Sequence, residues 1–364
     1  GRMLESLLKK INQIIGYVTL GIIFGLLGLL ANVEIKDLDL WLHVAMGKFI
    51  AAIKTVPAVD VISCTVAGKP WINHEWLFQL IVSWVHDLGG MDALITMQIG
   101  IVFVTFALFL FLIYRKEKVW LVVLPLYWLL YLYQDRFTVR PDLFSLLLLI
   151  IYFHILFRNI FAPRALGVIF VIQVLWTNIH GFFIWGPFLI ALVWVGEWGK
   201  RQWKLPLGLS QNGRLKDKDY QRLKFFLGVS VLACLVNPYG IKGLIYPLKI
   251  FFDFFGESKV FFDKILELSR PLSWDTLFSL GSYPFYKILF FASLISFILN
   301  YRKINLTLVV IWVVFFAFSA TAIRNMVYFG FVAAFVIVEN CVHLSWKDIL
   351  PKASFPAWFK LVLA

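Results

Sequence analysis

The residues best suited to chemistry gather in one polar stretch. Between 37 and 76 the chain reads D-L-D-L-W-L-H (37–43) and closes on W-I-N-H-E-W (71–76), setting Asp37, Asp39, His43, His74 and Glu75 among tryptophans in a gap between apolar segments. A carboxylate held at a membrane face can act as general base toward an acceptor hydroxyl or amine. With a second oxygen ligand it can also bind a divalent cation such as Mg2+ or Mn2+. Asp39 is spaced to cap a helix over 40–53, and on that helix His43, four residues on, reaches back to fix the carboxylate by a hydrogen bond. The competing reading for His43 is the polar end of an amphipathic helix. His74 and Glu75 open a second helix, where glutamate favours the N-terminus but histidine is not required.

Further along, Arg136 and Arg140 lie in D-R-F-T-V-R-P-D (135–142), His180 in W-T-N-I-H-G-F-F (176–183), and Arg324 opens the last apolar segment. Guanidinium groups hold phosphate oxygens through two parallel hydrogen bonds. The structural alternative for Arg136 and Arg140 is pairing with Asp135 or Asp142. Arg324 calls for a lipid phosphate or one of the aspartates, because an arginine at membrane depth is costly unless paired. Asn178, Gly181 and N-P-Y-G (237–240) are turn signals first.

The elements that position these residues are membrane helices. The 364 residues are 61% hydrophobic, 18% aromatic and only 15% charged, and runs near 20 apolar residues recur, so the fold expected is an all-α polytopic membrane protein in a single domain. The net charge of +13 sits in short clusters between apolar spans, which fits the positive-inside bias and not nucleic acid. Cys64, Cys234 and Cys341 show neither metal-ligand nor redox spacing. Gly1-Arg2 ahead of Met3 reads as an expression scar, and 11–31 as a retained first helix with its N-terminus in the cytoplasm.

Parity turns on the segment from His74 to His86, whose apolar part falls short of the roughly 20 residues needed to span. If it lies along the outer surface, the basic clusters at 115–118, 158–164 and 200–224 all fall inside, and 135–142, 178–181, 237–240 and Arg324 all fall outside. The positive-inside rule favours this arrangement. Spans are then expected near 92–114, 119–134, 141–157, 165–179, 182–198, 224–236, 284–300, 305–322 and 325–341, about ten with the first. The first external loop, 32–91, carries two surface helices. The basic loop 199–224 is expected to be a flexible cytoplasmic connector near anionic lipid. The external loop 237–283 alternates Phe-rich patches with charge at 250–262 and 261–268, as helices lying in the interface do.

An acidic pair directly after the first span, followed by a surface helix and a second surface helix before the next span, resembles the GT-C glycosyltransferases, among them protein O-mannosyltransferases and the aminoarabinose transferases of lipid A. The wording of 37–50, V-P-A-V-D (56–60) and G-K-P-W-I-N-H-E-W-L (68–77) is similar to that of a bacterial group in this superfamily. The resemblance implies transfer of sugar from a polyprenyl-phosphate or -pyrophosphate carrier to a glycan, lipid or protein acceptor, on the outer face of a bacterial inner membrane. It makes Asp39 the best match for the catalytic first-loop acid, with Asp37 as its pair and both as candidate metal ligands. It leaves His43, His74, Glu75, Arg136, Arg140, His180 and Arg324 to bind substrate. The chain lacks the W-W-D motif and the large C-terminal domain of oligosaccharyltransferases, and has no K-P-P or H-P-P signature. A transporter or flippase for an anionic or lipid-linked solute would use the same arginines and acids, and a non-catalytic assembly partner would use the same loop as an interface.

Overall fold

The computed structural model describes residues 2–116, 118–158, 164–255, 265–273, 276–279 and 281–344. Helices make up 74% of the protein and no strand forms among the described residues, so the class is all-α. In chain order the helices are α1 (Arg2–Ala31), α2 (Asp39–Ile53), α3 (Trp76–Ile113), α4 (Val119–Tyr133), α5 (Pro141–Phe157), α6 (Ala165–Ile179), α7 (Trp185–Gln202), α8 (Asp217–Ala233), α9 (Ile241–Phe255), α10 (Pro284–Leu299), α11 (Leu306–Ser319) and α12 (Met326–Cys341). Four stretches are long and apolar enough to cross a bilayer: Ser6–Ala31, Trp76–Ile113, Gly181–Gln202 and Ile323–Cys341. α5, α6, α10 and α11 are apolar but shorter. Helices this apolar satisfy their own backbone groups and need a non-aqueous surrounding, so the protein is membrane-associated.

The first external loop folds as two helices. α2 buries Leu40, Val44, Gly47 and Ile50, one stripe at three- and four-residue spacing, against the first half of α3. Contact is closest at Gly47, where an added Cβ would stand 2.0 Å from the Gln79 carbonyl oxygen. α3 breaks at Gly89 and Gly90, whose backbone leaves the helical region, with Gly90 at φ 61°. The segment before the break therefore runs apart from the one after it. Gln98, beyond the break, donates to the Ala31 carbonyl at the end of α1 (2.8 Å). The stretch between α1 and Gln98 thus leaves and returns at one end of the bundle, as the parity reasoning requires.

Side-chain contacts sort into two ends. At the site end, residues 37, 39, 136, 140, 142 and 267 meet one another. At the opposite end Glu339 of α12 takes Arg115 and Arg158 at 2.5 Å each. There too a buried Glu197 holds Lys200 (2.5 Å) and Arg201 (2.8 Å) and accepts from Thr307 (3.1 Å). α12 runs through the middle, buried on nearly every side, and its Gly330 admits Leu132 of α4 where a Cβ would meet the methyl at 2.5 Å.

Two loop expectations change. α7 reaches Gln202 and α8 starts at Asp217, so the basic connector is shorter than expected and α8 begins within it. It is also pinned: Asn212 donates to the carbonyls of Arg302 and Ile304, Lys200 to Gly213, and Leu215 N–H to Glu197. Buried charge at the ends of α7 anchors what the composition suggested was flexible. In the external loop, α9 covers 241–255 and a 3-10 turn covers Leu266–Leu268, while 256–264 of the expected amphipathic stretches lie outside the described residues.

Candidate functional site

Asp37 and Asp39 have different surroundings despite their spacing. The side chain of Asp37 is 9% exposed and that of Asp39 72%. Asp37 Oδ2 accepts a short hydrogen bond from Arg140 Nε, and its Oδ1 accepts from the Asp39 backbone N–H at 3.1 Å. The expected cap is thus supplied by Asp37, and Asp39 is the first residue of α2. This frees the Asp39 carboxylate, which stands 3.9 Å from Arg140. Burial alone would raise the Asp37 carboxyl, but the Arg140 hydrogen bond and charge, aided by the Asp39 N–H, hold it below its ordinary value.

Arg140 sits in extended backbone immediately before Pro141, the first residue of α5, where proline's fixed φ starts the helix without a lost hydrogen bond. Asp142 in the first turn of α5 takes Arg136 at 2.5 Å, the pairing that was the alternative to a substrate role. Asp135 makes no ion pair among the described residues. A residue the sequence reading did not single out completes the network: Glu267 Oε2 accepts from Arg136 Nη1 and Arg140 Nη1, both at 2.8 Å. Burial opposes the charge on both arginines and on Glu267. Their mutual pairing wins, raising Arg136 and Arg140 and lowering Glu267. Lys36, Asp37, Leu38, Asp135, Arg136, Thr138, Arg140 and Glu267 line an open cleft of about 480 Å³.

The remaining residues form an inner layer. The Glu75 carboxyl is raised by burial and feels the charges of His43, Asp142, Arg324 and Asp39. His43 does not bond Asp39 as expected: its ring lies edge-on to Phe78 at 5.0 Å and its Nδ1 is buried without a hydrogen-bond partner. Burial lowers its pKa against the pull of Glu75, Asp39 and Asp37. His74 is pushed down to about 4 by burial, so its 3.7 Å approach to Glu75 is not an ion pair at neutral pH. Its ring packs on Gly181, where a Cβ would come within 3.2 Å, which gives that glycine a role beyond the turn. Buried His180 contacts Ser145 Oγ through Nδ1 (2.7 Å), and Trp176 donates to the same oxygen (2.8 Å). Burial, then the nearby charges of His74 and Arg324, keeps the imidazole neutral.

Arg324 makes no ion pair among the described residues. Its guanidinium lies 5.6 Å from the Phe182 ring centre and its Nε is buried without a partner, within the fields of Glu267, Arg136 and Asp142. Asp142 Oδ1 and Arg136 Nε are likewise buried and unpartnered. All nine residues singled out in the sequence therefore lie at one end of the bundle, linked by contact or by charge. The turn residues are structural: Asn178 holds Trp76 Nε1 (2.8 Å) and the Val236 carbonyl, and Tyr239 bridges Asn73 N–H and the Pro57 carbonyl. The sequence reading passed over Glu267 because it sits in a loop far from the acidic pair. Its one signal was an acid between Phe-rich patches in an external segment.

The acids do not make a ready metal cage. Both Asp37 oxygens are engaged, and among the described residues no three His, Cys, Asp or Glu side chains converge to hold an ion. In comparisons with known proteins, no family model matches this chain, and no curated protein or solved structure matches it.

Proposed function

We propose that the protein is a GT-C-type membrane glycosyltransferase of about ten spans, which moves a sugar from a polyprenyl-phosphate carrier to an acceptor at the outer face of a bacterial inner membrane. The observation that carries this reading is the exposed Asp39 carboxylate beside the Arg136–Arg140 guanidinium pair, at the mouth of an open cleft. Asp39 takes the proton of the acceptor hydroxyl or amine as that atom bonds to the anomeric carbon. The bond from that carbon to the phosphate oxygen breaks, and the lipid phosphate departs against guanidinium groups. The displacement inverts the anomeric centre and needs no nucleotide. Asp37 acts as a positioning residue, since its oxygens are committed to Arg140 and to the start of α2.

A transporter reading gains no comparable support. The unpartnered polar groups lie at one end, while the opposite end is closed by saturated pairs around Glu339 and Glu197. The test is a panel of polyprenyl-phosphate sugars incubated with the wild type and with Asp39→Asn, scored by sugar released from the lipid. Turnover of one donor by the wild type and its loss in the variant is the expected result. Equal turnover by both proteins removes the base assignment, and inertness toward the whole panel removes the transferase reading.

A further inference from the structure

Two glutamates in this protein each bridge two arginines through a single carboxylate oxygen, and they differ in where they stand. Glu339 belongs to the buried central helix α12 and joins Arg115 to Arg158. Glu267 belongs to a three-residue 3-10 turn in a loop, is 32% exposed, and faces the open cleft. A helix fixes the first pair, whereas little but the pair itself fixes the second. One further bond ties this turn to the fold at the site: Ile323 N–H donates to the Ser269 carbonyl at 2.9 Å, linking it to the turn that carries Arg324.

We propose that Glu267 is an internal surrogate for a phosphodiester: it fills the seat made by Arg136 and Arg140 in the empty protein and is expelled when a substrate phosphate enters. The inference rests on the transferase reading for the identity of the ligand, but not for the existence of the seat.

Charge counting supports the exchange. Arg136, Arg140 and Arg324 stand against Asp37, Asp142 and Glu267, so the resting cluster is balanced only with Glu267 in place. Removing it leaves one positive charge, which a singly charged phosphodiester restores and a doubly charged pyrophosphate overshoots. Geometry agrees, because the glutamate oxygen lies 2.8 Å from one nitrogen of each guanidinium, the approach a phosphate oxygen makes to such a fork. Arg324 is left without an ion pair and with a buried, unpartnered Nε, a donor for which the resting protein provides nothing. A ligand with more than one acceptor oxygen can take the seat of Glu267 and reach Arg324 as well. Withdrawal of Glu267 also loosens the Ser269–Ile323 bond, so entry of the anion shifts the turn that presents Arg324.

The test uses the full chain in detergent, titrated with dimethyl phosphate as a soluble, singly charged phosphodiester. Glu267→Gln is expected to bind it about tenfold more tightly than wild type, the equivalent of ~1.4 kcal/mol. Glu339→Gln, the matched change at the other end, is expected to leave the affinity unchanged. Glu267→Asp keeps the charge on a shorter arm and falls between, which keeps the comparison informative should the neutral variant lose its fold. Hydrogen exchange supplies the second readout, with dimethyl phosphate speeding exchange of the Ile323 amide in wild type. Affinity that is unchanged or weaker in Glu267→Gln, or an Ile323 amide that ignores the ligand, overturns the proposal. Competition by a polyprenyl-phosphate sugar and by phosphatidylglycerol in the micelle separates the sources. Preference for the former supports the transferase; equal competition keeps the seat and counts against the transferase.

Discussion

Asp37 and Asp39 should separate stability from activity. In Asp37→Asn the amide oxygen still accepts the Asp39 N–H, so the loss is confined to the charge facing Arg140. At an effective dielectric near 20, a pair at contact is worth about 4 kcal/mol before the desolvation of both partners is subtracted. With Asp37 at 9% exposure and Arg140 at 26%, the net effect belongs between surface and buried pairs, at about 1–3 kcal/mol. Asp37→Ala also removes the acceptor at the start of α2 and should cost about 1 kcal/mol more. Asp39→Asn, at an exposed position, should stay within about 0.5 kcal/mol of wild type. Catalytically the order reverses. If Asp39 is the general base, its amide variant should lose a factor on the order of 10²–10⁴ in turnover while melting normally. Thermal unfolding in detergent and sugar release from a polyprenyl-phosphate donor are measured on the same preparations. An Asp39→Asn protein that turns over within a few-fold of wild type refutes the role of Asp39. An Asp37→Asn protein as stable as wild type refutes the structural weight given to the Arg140 pair.

Gly47→Ala should push α2 away from α3, because its Cβ would meet the Gln79 carbonyl at 2.0 Å; a loss of about 1–3 kcal/mol in unfolding is expected, and Gly25→Ala, with nothing within 4 Å, serves as the neutral comparison. His74 has its pKa depressed from 6.5 to about 4, so the unfolded chain binds its proton first and stability falls as pH drops through that window, by on the order of 3 kcal/mol at about 1.4 kcal/mol per pKa unit. His74→Gln should flatten that slope in a thermal melt series. Glu75 works in the opposite sense: its raised pKa contributes stability below about 4.5 that is lost as pH rises through the folded value, so Glu75→Gln should be the more stable protein at neutral pH. Glu197→Gln leaves the buried Lys200 ammonium without its counter-charge and should destabilise by about 3–5 kcal/mol, read as a lower melting point.

The fold was legible where apolar length and charge asymmetry speak together. The placement of His74–His86 at the surface followed from its short apolar run and from the basic clusters on either side. The Gly89–Gly90 break and the Gln98 contact with Ala31 give it a physical form. The gathering of Asp37, Asp39, Arg136, Arg140, His180 and Arg324 at one end came from the same parity reasoning. Which aspartate is free did not come from sequence, since two acids two residues apart read identically until the chain entering α2 turns Asp37 inward and Asp39 outward. Glu267 and Glu339 were illegible for a related reason: each acts through arginines more than 100 residues away, and neither carries a local pattern that marks it. The buried Glu197–Lys200 pair was equally hidden, because three-residue spacing at a helix end reads first as a solvated face.

The two ends of the bundle use the same residue types to opposite effect. At the Glu339 end each carboxylate and guanidinium has its partner on a packed helix, and around Glu197 the oxygens are taken up by Lys200, Arg201, Thr307 and the Leu215 amide. Such a cluster stabilises a fold and leaves nothing for a ligand. At the Glu267 end, Arg136 Nε, Asp142 Oδ1, Arg324 Nε and His43 Nδ1 are buried with no partner, each at a cost of about 1–3 kcal/mol if left so. Four uncompensated groups in one place are expensive in a protein that satisfies its polar atoms elsewhere, and the expense makes sense where the missing partner arrives from outside. That asymmetry, more than any single residue, identifies which end of the molecule binds. It also explains why the acid that bridges the arginines there stands on a loop instead of a helix: a bridge that must open cannot be built into the core.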